Sequence, residues 1–389
     1  MTQRRRVLTG LAATGLSAAL PPLARAQAQE GLKIGLNLER TGVAASYGAH
    51  MLIAAQIAVD ELNRSGGTRL DFVTEDNRSS PEQAVIATRN LDRAGVFAML
   101  GPIQSSQCRT AFPAANRANL VAISPGSGAP GLTAQNRPWT FRNAAIDQFI
   151  IDELVATLRK RHPNAKSVVT VLDPKDAYES FLVKSVAPSA LEKNGFTIVN
   201  KDAPIEIPSD ASDHSVFVTR LKAMNPDILL LGIQFEPART FLREANRQKF
   251  AVPMFAGLGY VTESVAEAAR DIELWAGQPF DAASTDPATQ RFVAEFRARC
   301  EKELPGQYTT PTYIDAGAYE TVRILADAFR AAGATPKSPP AEIRTKVRDY
   351  LAGLKNYQGL GNTMSINADG DAVKPTLLYR VQGGKWTRA

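Results

Sequence analysis

From Leu32 onward, short apolar runs alternate with longer stretches in which apolar residues return every three or four positions. Leu32–Leu38 reads as a strand. A helix follows over about 47–64, with polar Gln56, Asp60, Asn63 and Arg64 on one face and Ser65-Gly66-Gly67 ending it. Residues 69–75, 96–101 and 120–124 read as further strands, and 81–94 and 105–118 as helices. Four strands alternating with helices predict a parallel, doubly wound sheet. A second series opens near 147 with a helix ending in basic Arg159-Lys160-Arg161-His162. Strands at 167–172, 196–200, 227–232, 253–256 and 273–277 follow, separated by helices at 178–193, 213–224, 237–247 and 262–270. The unbroken run Ile228-Leu229-Leu230-Leu231 fits a strand covered on both faces. Helices at 286–302, 313–332 and 340–354 come next. The tail, about 361–388, reads as a hairpin with turns at 367–370 and Gly383-Gly384. The predicted fold class is therefore α/β, with two doubly wound, Rossmann-like lobes. No low-complexity linker separates them, which favours lobes joined by several chain crossings.

The first 28 residues carry a different pattern. Arg4, Arg5 and Arg6 precede an uncharged apolar stretch from Val7 to Leu20, then Pro21-Pro22 and the small-x-small sites Ala24-Arg25-Ala26 and Ala26-Gln27-Ala28. This is the order of a cleaved secretory signal, and the stretch is shorter than the roughly 20 residues needed to span a bilayer. Gln3-Arg4-Arg5-Arg6-Val7-Leu8-Thr9 also resembles the twin-arginine export motif. Without its four arginines the net charge falls from +6 to +2, so the basic balance belongs to the leader and gives no reason to expect a nucleic-acid partner. A periplasmic location is expected. Cys108 and Cys300 are read onto helices of different lobes, where a disulfide would lock parts that should move, so two buried free thiols are expected. His50, His162 and His214 lie far apart with no ligand spacing, so no metal and no cofactor is expected.

In open α/β sheets the ligand crevice lies beyond the carboxyl ends of the strands. The loops there are 39–47, Gly101-Pro102-Ile103-Gln104-Ser105-Ser106, and Ser124-Pro125-Gly126-Ser127-Gly128-Ala129-Pro130. The last two offer hydroxyls and backbone N–H groups near a helix start, a setting for an anion; Ser105 could equally be only a helix cap. No Gly-x-Ser-x-Gly elbow, P-loop or dinucleotide glycine fingerprint is present, and no histidine is placed as a base, so an enzyme is not expected.

At these loops the chain resembles the type I periplasmic binding proteins of ABC transporters, in the branch of the leucine/isoleucine/valine-binding protein. The resemblance covers essentially the whole chain after the leader. It rests on Leu32-Lys33-Ile34-Gly35, Ala58-Val59-Asp60-Glu61-Leu62-Asn63, Gly101 to Ser106, Ile123 to Ser127, Thr140-Phe141-Arg142-Asn143 and the stretch from Asp173 to Tyr178, in that order. It implies a small-molecule ligand, hinge closure over it, an inner-membrane ABC permease as partner, and a monomer. It also implies three crossings, near 146, 278 and 357. Lobe I would then comprise 29–146 and 279–356, and lobe II 147–278 and 357–389.

The resemblance carries over site residues one at a time. Ser105, with Ser106 beside it, matches the serine that holds a ligand carboxylate, and Gly126 a position offering its backbone. Tyr47 and Tyr178 match aromatic walls. Gly128 stands where amino-acid binders usually have threonine, with Ser127 as a possible substitute. Gln234, followed by Phe235, stands where a lobe II tyrosine is usual, and Leu258 where an acid pairs the ligand's α-ammonium. The lobe I disulfide positions fall on Ser79 and Gln104. The loss at Leu258 matters most, because an ammonium left without a partner in a closed cleft is costly. The reading taken is a ligand with a carboxylate and no α-amine, an aromatic or other acid, walled by Tyr47, Tyr178, Phe235, Tyr260 and Tyr313. The alternative is a branched-chain or neutral amino acid, with Glu236, Glu179 or Asp315 replacing the missing acid. Arg142 could meet an anion but reads better as an ion-pair partner. A ligand sensor feeding a receptor is a third possibility that the residues alone do not separate from transport.

Overall fold

The computed structural model describes residues 30–66, 69–145 and 147–389. The leader at 1–28, and Ile146, where the first crossing is expected, lie outside the described residues.

The first lobe runs β1 (Leu32–Leu38), α1 (Ala45–Arg64), β2 (Leu70–Asp76), α2 (Pro81–Arg93), β3 (Ala98–Leu100), α3 (Ser105–Arg117), β4 (Val121–Ser124) and β5 (Thr140–Arg142). Its strands pair in parallel in the order β2-β1-β3-β4-β5. Side chains of β1 and α1 fill the space between helix and sheet: Ile34, Leu36, Met51, Ala54, Ile57 and Ala58 are fully buried. The polar stripe of α1 goes where the periodicity puts it, with Gln56 donating to Asp60 and Asp60 pairing with Arg299. Ser80 caps α2, whose first residue is Pro81. The fifth strand, β5, has only three residues, too few to show a period of two, and the sequence pattern predicts four strands here.

The second lobe runs α4 (Asp147–Arg161), β6 (Ser167–Leu172), α5 (Ala177–Phe181), α6 (Ala187–Lys193), β7 (Thr197–Ile198), β8 (Ile205–Glu206), α7 (Ser215–Met224), β9 (Ile228–Gly232), α8 (Phe235–Arg247), β10 (Met254–Ala256), α9 (Glu263–Ala268) and β11 (Leu274–Gln278). The single helix expected over 178–193 is interrupted by a π-helical turn at Leu182–Val186. Pro188 has no N–H to give Lys184, so the regular i to i−4 ladder cannot continue there. All five residues of β9 are buried, as its apolar run demands.

The chain then forms α10 (Pro287–Glu303), α11 (Tyr313–Ala331) and α12 (Pro340–Ala352), with α10 and α11 both packed on α1. Cys108 and Cys300 are free and buried. They do not occupy different lobes as expected, because α10 has returned to the first lobe. The expected single hairpin in the tail is two structures. β12 (Tyr357–Gln358), β13 (Thr363–Ile366) and β14 (Ala372–Val373) form a small antiparallel sheet. β15 (Leu377–Gln382) and β16 (Lys385–Arg388) extend the second lobe's sheet, β15 pairing antiparallel with β11. Tyr357 donates to Asp327, Leu360 N–H to Glu320, and Ile366 N–H to Leu354. Residues 357–373 thus hold to the first lobe's helices, and the chain passes to the second sheet between Val373 and Leu377, later than the boundary near 357. Local strand periodicity cannot register this, since both segments are β. No described helix is long and apolar enough to cross a membrane, and among the described residues no His/Cys/Asp/Glu cluster could hold a metal.

Candidate functional site

Loops from the carboxyl ends of β3, β4, β6, β9 and β10 converge with the starts of α1 and α11 on one cavity of about 50 Å³. Tyr47, Ser105, Gly126, Ser127, Gly128, Tyr178, Gln234, Phe235, Leu258 and Tyr313 all line it. Ser106 does not; its hydroxyl donates to Gln107, one position round α3 from the inward-facing Ser105. The walls also include Ile103, Gln104, Asp176, Glu179, Gly259 and Ile314. The cleft is closed: the rings of Tyr47 and Phe235 meet edge-on across it at 4.9 Å, and Thr310 donates to Glu263 at 2.5 Å on its rim.

The first lobe presents donors. Ser105 is the first residue of α3, and its Oγ accepts from Ala129 N–H at 3.2 Å, leaving the hydroxyl proton to give. It is no N-cap. That place belongs to Gln104, and the helix start is met from behind by Glu39, whose carboxyl accepts from Ile103 and Gln104 N–H. Burial pushes the Glu39 carboxyl up to about 7, against the lowering effect of those N–H groups. The Ser127 hydroxyl is buried and has no partner. Gly126 gives its carbonyl to the Tyr313 hydroxyl at 2.9 Å. Arg142 does not reach the cavity. It pairs with Asp371 at 2.6 Å and donates to the carbonyls of Ser127 and Ala129. The disulfide positions are otherwise engaged: Ser79 hydrogen-bonds across loop 41–44, and Gln104 accepts from Gln107.

The second lobe presents carboxyls. Asp176 caps α5, accepting from Glu179 N–H at 2.9 Å, and accepts from Gln234 Nε2 at 2.7 Å. A reciprocal capping box would turn the Glu179 carboxyl back to Asp176 N–H, but that N–H goes to Asp173 O. Glu179 lines the cavity instead, with its Oε2 buried and unpartnered. Burial first, and then neighbouring Asp176, Asp147 and Asp173, hold its pKa well above the usual carboxylate range. Burial raises Asp176 as well. The other proposed substitutes for an acid at 258 lie elsewhere: Glu236 pairs with Arg239, and Asp315 closes the capping box of α11. Gly128 has a steric cause. A Cβ there would fall on Asp147 Oδ2 and within 2.6 Å of Tyr178 Cε2. The Tyr178 hydroxyl donates to Asp147 at 3.1 Å and accepts from Leu258 N–H at 2.7 Å, which fixes the ring as a wall. Burial pushes Asp147 up to about 7, Arg142 opposing. Among the described residues, no lysine or arginine lines the cavity.

Periodicity could not have found Asp176 or Glu179 as a pair facing the cleft. Sequence alone offers Glu179 as one of three replacements for the acid at 258, and locally an Asp three residues before a Glu reads only as a helix start.

The profile of a family described as periplasmic binding protein matches residues 31–385. An amino acid binding protein of Pseudomonas aeruginosa is 26% identical over 338 residues, 85% of this chain and 86% of the relative. The Leu/Ile/Val-binding protein BraC3 of Rhizobium johnstonii is 25% identical over 95% of each. Among solved structures, the branched-chain amino acid transporter substrate binding protein LivJ of Streptococcus pneumoniae, in complex with isoleucine, superposes with a TM-score of 0.76 at 24% identity, covering 92% of this chain and 100% of that one. An ABC transporter solute binding protein from R. palustris in complex with benzoate gives a TM-score of 0.79 at 19% identity, covering 92% and 95%. At these identities the structural likeness establishes the fold; the ligand has to be argued from this chain's own cavity.

Proposed function

Because this chain belongs to the periplasmic binding protein family, as a type I member of its leucine/isoleucine/valine-binding branch, we propose that it delivers a small zwitterion, an amino acid with an apolar side chain, to an inner-membrane ABC permease. Residues 1–28 would direct export and be removed, and the protein would act as a periplasmic monomer. Its relatives are binding proteins of transporters rather than enzymes.

The carrying observation is Glu179, a buried carboxyl with a free oxygen in a cavity without a cation. A ligand ammonium meets that need. The ligand carboxylate then falls to the opposite wall, to the Ser105 and Ser127 hydroxyls and the Gly128 N–H. The apolar part has Tyr47, Ile103, Phe235, Leu258 and Tyr313 around it. An acid without an amine, the ligand suggested by Leu258 alone, would leave the free Glu179 oxygen without a cation. The benzoate-bound structural neighbour keeps that reading in the test. A thermal-shift screen of the twenty amino acids beside benzoate and cinnamate, followed by calorimetry, is the experiment. Stabilisation by leucine-like amino acids and none by benzoate is expected; the reverse pattern overturns the zwitterion.

A further inference from the structure

Arg142 is the last residue of β5 and only 1% exposed. Its Nη1 donates to Ser127 O at 3.2 Å and Ala129 O at 2.7 Å, and its Nε to Asp371 Oδ1 at 2.6 Å. The same Asp371 oxygen accepts from Thr133 Oγ1 at 2.5 Å. Residues 142 and 371 also form a backbone bridge, with Arg142 N–H donating to Gly370 O. One guanidinium therefore ties the loop after β4 to the segment that leads, through Lys374 and its buried pair with Glu320, into the last crossing.

The Ser127 carbonyl belongs to the peptide whose N–H is that of Gly128. Gly128 lines the cavity, and its N–H makes no hydrogen bond within the described residues. A cation on a peptide's oxygen draws electron density from its nitrogen and makes the N–H a stronger donor, an effect enlarged where the surroundings are dry. The cation itself stays behind the loop, half neutralised by Asp371, so an anion gains from it without a side chain having to enter the small cavity. We propose that Arg142 is a positioning residue for the ligand carboxylate, acting through the Ser127–Gly128 peptide. This rests on the assignment of the carboxylate to the first lobe.

The test uses the full mature protein and two probes, L-leucine and L-leucinamide, which share the ammonium and side chain and differ in the carboxylate. If leucine does not bind the wild-type protein, the zwitterion reading fails and this proposal fails with it. If it binds, Arg142→Met should weaken leucine about 30-fold while leucinamide changes less than about 3-fold, and Arg142→Lys should recover part of the leucine loss. Arg142→Met leaves Asp371 buried without its cation, so the double variant Arg142→Met with Asp371→Asn serves where the single one folds poorly. The double variant should keep the selective leucine loss. Equal weakening of both probes, or wild-type leucine affinity in the double variant, makes Arg142 a structural brace only and overturns the proposal.

Discussion

The two walls of the cleft are built on opposite plans. The first lobe's wall has hydroxyls and a backbone N–H in front, a guanidinium behind its loop, and one carboxyl, Glu39, turned away to the base of α3. The second lobe's wall has Asp176 and Glu179 at the surface and Asp147 close behind Tyr178. Each wall is poor company for one charge and good company for the other. A dipolar ligand satisfies both at once, whereas a simple anion or cation satisfies one wall at the other's expense. Closure, which brings the walls together, is then favoured by the molecule that has both charges.

The largest expected effect comes from removing the polarity at its acidic end. Breaking a buried ion pair by deleting one partner typically costs about 3–5 kcal/mol. Glu179→Gln should therefore weaken leucine binding at least about 100-fold by calorimetry near neutral pH, while leaving benzoate unchanged or improved. Unchanged leucine affinity would mean that the walls do not share a zwitterion. A companion measurement sharpens the point. Burial holds the Glu179 carboxyl protonated to well above its ordinary range, and a ligand ammonium favours the ionised form. Binding should release a proton, so leucine affinity should rise with pH, and calorimetry in buffers of different ionisation enthalpy should read the release. Glu179→Gln should abolish it.

The donor wall should respond more mildly and in two distinguishable ways. A hydrogen bond to a charged group contributes about 1.5–3 kcal/mol, so Ser105→Ala and Ser127→Ala should each weaken leucine roughly 10- to 100-fold. Ser105 also accepts from Ala129 N–H, so its loss strands a buried donor and should lower the melting temperature. Ser127 Oγ has no hydrogen-bond partner among the described residues, and its loss should leave stability nearly unchanged. If Ser127→Ala binds leucine as the wild type does, the carboxylate does not lie against this loop.

Much of this was legible in residues 30–389 before any coordinates. The strand and helix alternation, the apolar run of β9, and the loops beyond β3 and β4 came from periodicity and the position of glycine and serine. Ten of the twelve residues named as holding or walling the ligand line the cavity; a helix turns Ser106 aside, and Tyr260 donates its hydroxyl to Ile233 O inside the second lobe. What stayed hidden depends on contacts distant in sequence. Gly128 looked like a lost threonine, but Asp147 and Tyr178 occupy its side-chain space. Leu258 looked like a lost acid with three candidate replacements, and which of them reaches the cavity was hidden: only Glu179 does, from another strand's loop. The late crossing was invisible for the same reason: it is decided by which lobe a segment packs on, and periodicity carries no such label.

The smallest effect on ligand binding comes from the carboxyls behind the walls, which act on stability instead, and here the two lobes should behave alike. Glu39 is raised from 4.5, and Asp147 from 3.8, each to about 7, with burial as the main cause. For an acid whose folded pKa is raised, both states are protonated at low pH. As pH passes the unfolded pKa the unfolded chain ionises and the folded one does not, so stability falls until the folded pKa is reached. The window runs from about 4 to 7. One pKa unit corresponds to about 1.4 kcal/mol, which sets the loss on the order of 3 kcal/mol for each group. The melting temperature should therefore fall between about pH 4 and 7 and level off above. Glu39→Gln, whose amide oxygen can still accept from Ile103 and Gln104 N–H, should make the fall shallower by about a few degrees. An unchanged slope would mean that Glu39 is ionised at neutral pH. A second anion would then stand at the base of α3, behind the wall assigned to the ligand carboxylate. In that case the contrast between the walls would rest on Ser105, Ser127 and the charge of Arg142 alone.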